Sequence, residues 1–516
     1  MFHQGELKRA LLPVVSGLLL AASFPAAGLG ALAWVAWVPL LAAVDRARGR
    51  GGAFGAGLLA AGLYTGILLA WIPGVLVRHG GMAPVPAWGA YAALAALLAL
   101  YPAAACLLVK HLMLRGGRGW ILAFPAAWVL GEYALSLSPF GGLPWLLAGY
   151  TQADCLPVIQ IADLAGVYGV SFLVLALNTA AARALLAGGR VARLAPLGAA
   201  GALLLVSLLY GARQLERWEK VEPRYRAAML QGNIGADEAE AAQAEKFQEG
   251  YVAMADRLPV GEIDLLVLPE SPAPRLWQLD AGYRSAMREL AARYPLGLVL
   301  SNIRLGAEGE GNGEEPRYYN SAFFIDRRGE VAGIYDKIHL VPFGEYIPGS
   351  GFLSFVERIS SDIGAFSPGG DPGVFSLGGN PASALICFEA VFPSLAREVT
   401  RRGSGLLLNL TNDEWYGPGA APFQHLAISR FRAVENRRYL LRAANSGVTA
   451  CIEPTGRIQS ATGILRQAVG RGSFRFVREQ GVYTRYGDVF IFLCAIILLV
   501  SVLWVERKKR RQFRRR

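Results

Sequence analysis

The sequence predicts a membrane α-helical bundle of about eight spans joined to a soluble α/β sandwich domain, and three observations carry that expectation. Mean hydropathy is +0.35, and only 17% of the 516 residues are charged, which is too apolar for a wholly soluble chain of this length. Charge is absent from 10–44, 51–77, 80–109, 133–153, 164–182, 194–212 and 489–505, and a helix crossing the ~30 Å hydrocarbon core needs about 20 apolar residues. Across 214–487, by contrast, charges recur every few positions while short β-rich runs alternate with helical patterns, the signature of an α/β layer fold. The expected domains are a seven-span bundle over 1–213, a soluble domain over 214–487, and a last span with a basic tail over 488–516.

The spans follow from the charge-free runs. The 10–44 stretch, broken by "FPAAGLG", holds two short spans; the others lie near 53–76, 83–109, 119–136, 160–187, 194–212 and 488–505. Lys8 and Arg9 before the first apolar run imitate a secretory signal, but six further spans behind it favour an uncleaved helix. Basic residues set the orientation. Lys8 and Arg9, then Arg46, Arg48 and Arg50, then Lys110, Arg115 and Arg118, then Arg190 and Arg193 flank alternate loops, whereas the other loops hold only Arg78. By the positive-inside rule both termini face the cytoplasm and 214–487 faces the far side, periplasmic in a bacterial inner membrane. Without ATP there, a reaction must draw its driving force from the substrate. The tail "ERKKRRQFRRR" carries eight basic residues and one acid, more than half of the net +12. Its place after a span marks a cytoplasmic, lipid-facing cluster, so no nucleic-acid partner is expected. Glu132 and Asp163 fall near span ends, where a structural and a headgroup-binding role are both open.

Within 214–487, "IDLLVLPES", "LGLVLSNIRL", "ASALICFE" and "GLLLNLTND" read as buried strands. "AGYRSAMRELAARY" and "FPSLAREVTRRG" read as helices, and 321–342 as a hairpin turning at Arg328 and Gly329. The five cysteines show no CxxC spacing and the five histidines no ligand spacing, so neither a disulfide framework nor a metal site is indicated. Cys106 and Cys494 lie in spans; Cys155 and Cys451 lack an acid–base neighbour. Three polar residues end predicted strands: Glu270, Lys337 and Cys387. Singly, each has a bland reading, a solvated charge or a small core thiol. Together, at the carboxyl ends of strands where α/β folds place their sites, they offer coherent chemistry. A Cys at a helix N-terminus near Lys is expected to have a depressed pKa, a carboxylate can take its proton, and an ammonium can stabilise an oxyanion.

The order Glu–Lys–Cys within "LPES", "YDKIHLVPFGEYIP", "CFEAVFP" and "NLTNDEWYG" resembles the carbon–nitrogen hydrolase (nitrilase) superfamily. With seven spans before the domain and one after, and "GGLPWLLAGYTQ" at 141–152, the whole chain is similar to the apolipoprotein N-acyltransferase family. The resemblance implies a nitrilase-like αββα sandwich in which Glu270 is the general base, Lys337 the oxyanion stabiliser and Cys387 the nucleophile rather than a core residue. It places Glu345 and Glu389 along the active site and has Phe388 and Trp415 shape the pocket and the loop beside it. Some members carry Tyr where Phe388 stands. Near "AEKF", where a Trp often occurs, this chain has Phe247, which leaves that loop's contribution open. His425 in "APFQHLAISR" is a tempting base, but Glu270 already fills that role.

The implied activity is a membrane acyltransferase. A fatty acyl chain passes from a phospholipid donor, through a Cys387 thioester, to the N-terminal amine of diacylglyceryl-cysteine in an apolipoprotein, with no cofactor or metal. Ester to thioester to amide runs downhill, and a waiting thioester requires an apolar, water-poor site. Two other readings compete: a membrane-tethered amidase or nitrilase using water as acceptor, and a transporter or lipid-binding scaffold. The spans speak against the first and the intact triad against the second.

Overall fold

The computed structural model describes residues 4–115, 119–138, 141–235, 240–259, 261–273, 276–306, 317–346 and 366–513. Arg118, Ile347 and Pro348, and residues 514–516 of the basic tail, lie outside the described residues. The chain divides into two compact units: Met1–Ile72 with Val85–Leu215 and Tyr486–Arg516, and Pro73–Pro84 with Glu216–Arg485.

Among the described residues, five helices are long and apolar enough to cross a membrane: Arg50–Leu68, Pro84–Leu114, Ala162–Leu186, Arg190–Glu219 and Val489–Arg507. Ala10–Ser23 and Trp120–Leu135 are shorter apolar helices. The second expected span is a broken one, a 3-10 turn Gly30–Trp34 followed by the nine-residue helix Val38–Arg46. A helix of that length covers only about 14 Å. Breaking it frees backbone groups that lipid cannot satisfy, and Asn178 of Ala162–Leu186 takes them up. Its Oδ1 accepts from Trp37 N at 2.9 Å and its Nδ2 donates to Ala33 O at 2.8 Å. Glu132 and Asp163 are also tied into protein. Glu132 accepts from Ala148 N at 2.6 Å and Trp128 Nε1 at 3.2 Å, and Asp163 accepts from the Tyr210 hydroxyl at 2.8 Å.

Among the described residues, the second unit is built on twelve strands: β1 (Tyr225–Gln231), β2 (Leu265–Val267), β3 (Gly297–Leu305), β4 (Tyr318–Ile325), β5 (Val331–Asp336), β6 (Phe375–Leu377), β7 (Asn380–Ile386), β8 (Leu407–Thr411), β9 (Leu440–Ala444), β10 (Ala450–Ile452), β11 (Ile458–Ala461) and β12 (Ala468–Phe474). They form two six-stranded sheets, ordered β12-β1-β2-β3-β4-β5 and β11-β10-β9-β8-β7-β6. β1–β3 pair in parallel, as do β7–β9, and antiparallel strands complete each sheet. The centre strands are apolar on both faces because both are covered. Alternate side chains therefore enter different layers. Met229, Leu265, Val267 and Val299 meet Ala384, Ile386, Leu408 and Leu441 between the sheets. Leu230, Leu266, Leu298 and Phe323 instead pack with Tyr283, Met287 and Leu290 of the helix Ala281–Ala291. The helices Pro393–Arg401 and Ala421–Asn436 belong to the other half of this helix–sheet–sheet–helix sandwich. The β4–β5 hairpin turns where expected, with Gly329 at φ +75°. Phe247 is core, its ring tilted against those of Tyr251 and Tyr283.

Candidate active site

Glu270, Lys337 and Cys387 follow β2, β5 and β7. Since β3–β4 and β4–β5 are antiparallel steps, β5 runs in the same sense as β2. Glu270 and Lys337 thus leave the first sheet from one edge. All three side chains are buried, as is Glu345.

Lys337 and Asn320 each bridge the two carboxylates. Lys337 Nζ lies 2.8 Å from Glu345 Oε1 and 3.3 Å from Glu270 Oε1. Asn320 Nδ2, on β4, donates to the same two oxygens at 3.1 and 2.8 Å. The remaining oxygens accept from backbone: Glu270 Oε2 from Asn412 N at 2.9 Å, and Glu345 Oε2 from Val341 N at 2.7 Å. Burial works against the Lys337 ammonium, but Glu345 and then Glu270 outweigh it and hold its pKa above an ordinary lysine. The site therefore keeps a permanent cation next to a carboxylate with fixed geometry.

Cys387 opens a 3-10 turn, Cys387–Val391, at φ +51°. Ser271, immediately after Glu270, and Phe343, two residues before Glu345, also have positive φ. Such strain gathers where surrounding structure over-determines the backbone. The expected depressed thiol pKa is corrected here. Burial pushes the Cys387 thiol up, Glu270 pushes it further, and Lys337 offsets only part of this. The turn is five residues long and supplies too little helix dipole to compensate. Cys387 rests as a thiol.

Glu389 sits deeper than a pocket-lining residue. It is fully buried, and Oε1 accepts from Tyr335 Oη (2.7 Å), Ile338 N (2.7 Å) and His339 N (3.1 Å), while Oε2 accepts from Ile386 N (2.8 Å). One carboxylate thus ties the segment after Lys337 to the residue before Cys387. Burial raises its pKa to about 6. Phe388 packs edge-on against Phe392, ring centroids 5.2 Å apart, and Trp415 lies against the His79 ring at 4.4 Å. Asn320 and Tyr335 were not foreseen from sequence; the single signal was a buried-looking Asn inside the apolar strand "YYNSAFFI".

The chain matches two family profiles, Apolipoprotein N-acyltransferase N-terminal domain over residues 16–180 and Carbon-nitrogen hydrolase over 226–467. It is 40% identical to an apolipoprotein N-acyltransferase of Geobacter metallireducens, covering 96% of this chain and 95% of that one. It is 30% identical to the protein of that name from Chlorobaculum tepidum, covering 98% and 99%. Among solved structures it resembles Nit3 of Saccharomyces cerevisiae, a nitrilase-superfamily member, at 16% identity and TM-score 0.38, covering 49% of this chain and 91% of that one.

Proposed function

The chain belongs to the apolipoprotein N-acyltransferase family, enzymes that N-acylate lipoproteins at a membrane, and from that premise we propose how its own residues carry out the transfer. The observation that carries the reading is the buried thiol of Cys387, held at positive φ beside a carboxylate that a lysine and an asparagine fix in place. Glu270 takes the thiol proton, and the thiolate sulfur attacks the ester carbonyl of a phospholipid. The oxyanion that forms is balanced by the Lys337 ammonium. Collapse breaks the ester C–O bond; the departing lysophospholipid oxygen takes the proton from Glu270, leaving an acyl thioester on Cys387. The α-amine of a diacylglyceryl-cysteine then attacks the thioester. Glu270 accepts the amine proton, the C–S bond breaks, and the thiolate recovers the proton from Glu270.

Glu345 orients Lys337, and Glu389 holds the two segments that carry Lys337 and Cys387. Phe388 and Trp415 provide apolar surface near the site. The domain spanning 214–487 is placed on the periplasmic side of a bacterial inner membrane, with both termini cytoplasmic, in line with the distribution of Lys and Arg between loops. Incubating the protein with labelled phospholipid and a diacylated lipopeptide tests the reading. Labelled amide is expected. Release of labelled fatty acid without amide would instead support a hydrolase.

A further inference from the structure

Beneath Cys387 a fully buried polar cluster converges on its backbone carbonyl. Asn409 on β8 donates from Nδ2 to Cys387 O at 3.3 Å and to Leu385 O at 2.9 Å. His425, on the helix Ala421–Asn436, places Nε2 3.2 Å from Cys387 O. A carbonyl oxygen can only accept, so Nε2 bears the proton. His425 Nδ1 lies 3.1 Å from both Arg442 Nη2 and Asp413 Oδ1; with the proton on Nε2 it accepts from Arg442, and Asp413 Oδ1 is supplied by the Thr411 hydroxyl instead. Burial and then the Arg442 charge hold the ring below an ordinary histidine pKa, so it stays neutral.

Arg442, on β9, is anchored in turn. Its Nη2 lies 2.5 Å from Asp413 Oδ2, and its Nη1 donates to Asn409 Oδ1. Thr411 donates its hydroxyl to Asp413 Oδ1 at 2.9 Å and also contacts the Cys387 thiol. Asn409, His425 and Arg442 are completely buried and Asp413 nearly so. Burying an arginine–aspartate pair is costly and an apolar filling would often be as stable, so stability alone gives no reason for it. Geometry does. Cys387 carries a Cβ at φ +51°, a region that ordinary residues leave unless held. Two donors on one carbonyl fix the planar 387–388 peptide; with Ile386 held before it by β8 and Glu389, the direction of the Cα–Cβ bond is set.

We infer that His425 is a positioning residue for the acyl transfer: its Nε2–H, with Asn409 and braced by Arg442 and Asp413, holds the Cys387 carbonyl so that the sulfur points at Glu270. This rests on the reading of Cys387 as nucleophile. Misplacing a reacting atom by about 1 Å can cost ~10²-fold in rate.

The test compares His425→Met, which has no donor, with His425→Gln, whose amide returns an N–H of similar reach. Full-length detergent-solubilised protein is given phosphatidylethanolamine with a labelled acyl chain, and acyl loading is followed by rapid-quench mass spectrometry. With folded protein, His425→Met should load about 10²-fold more slowly at saturating lipid, with the half-saturating lipid concentration unchanged. His425→Gln should recover most of the rate. A folded His425→Met protein that loads at the wild-type rate overturns the inference, and so do Met and Gln variants that are equally slow. If His425→Met does not fold, Asn409→Leu removes the other donor to the same carbonyl, and wild-type loading there is equally fatal. Wild-type protein that turns over but never carries acyl on Cys387 would show a different failure, that of the nucleophile assignment itself.

Discussion

Replacing Lys337 by Met removes the cation that bridges two buried carboxylates. At 2.8 and 3.3 Å from Glu345 and Glu270, the ammonium contributes gross attractions of about 6 and 5 kcal/mol at an effective dielectric of about 20. Desolvation of the three ions cancels much of that, and breaking such a buried set by removing one partner typically costs about 3–5 kcal/mol. Among the described residues, Asn320 would then be the one side chain left donating to both Oε1 atoms, and one of the two carboxyls should hold a proton. The sign follows. In wild type the Lys337 pKa is raised, so its stabilisation is present below the ordinary lysine pKa and is lost only when pH rises through the folded value. Between pH 5 and 8 it is therefore constant. In Lys337→Met a carboxyl pKa is raised instead, so stability should fall as pH climbs from 5 to 8. Thermal unfolding in detergent across that range reads the difference. Acyl loading should also drop about 10²–10³-fold through loss of the oxyanion partner. A folded Lys337→Met protein that loads normally, with an unfolding midpoint whose pH dependence between 5 and 8 is the same as that of wild type, would refute the bridging role.

Protein given phospholipid alone should gain the mass of one acyl chain, removable by neutral hydroxylamine and discharged by a diacylated lipopeptide. Cys387→Ala should gain none, and Glu270→Gln should load slowly because the buried thiol lacks its base; absence of any adduct during wild-type turnover would replace the two-step scheme with direct transfer. Between the ordinary glutamate pKa and about 6, the raised value of Glu389 means the folded state binds more protons, so stability should fall by about 2 kcal/mol as pH rises through that window. Glu389→Gln should abolish that slope, and a slope that persists in unfolding curves assigns it to another group. A reporter after Arg516 should read cytoplasm and one at Gly311–Asn312, outside the described residues, the opposite side; both reading the same side would overturn the span count.

The features set by local pattern were legible in the sequence. Charge-free runs located the apolar helices, because a hydrocarbon core excludes charge whatever the neighbours are. Even so, the second span is interrupted, and Asn178, more than a hundred residues away, absorbs the break. The β-rich runs located β2, β3, β7 and β8, and the residues that end strands located Glu270, Lys337 and Cys387, because backbone periodicity and strand direction are local. The partners of those residues were not legible. Asn320 is 50 residues from Glu270, Tyr335 is 54 from Glu389, and Arg442 is 29 from Asp413. In one dimension a buried polar side chain reads like a solvated one; only sheet register and sheet-on-sheet packing decide whether a partner waits for it. The thiol of Cys387 shows the same division. Its neighbours in sequence suggest an acidic cysteine, but the desolvation that raises its pKa comes from the layers packed around it, and burial is a property of the folded chain alone.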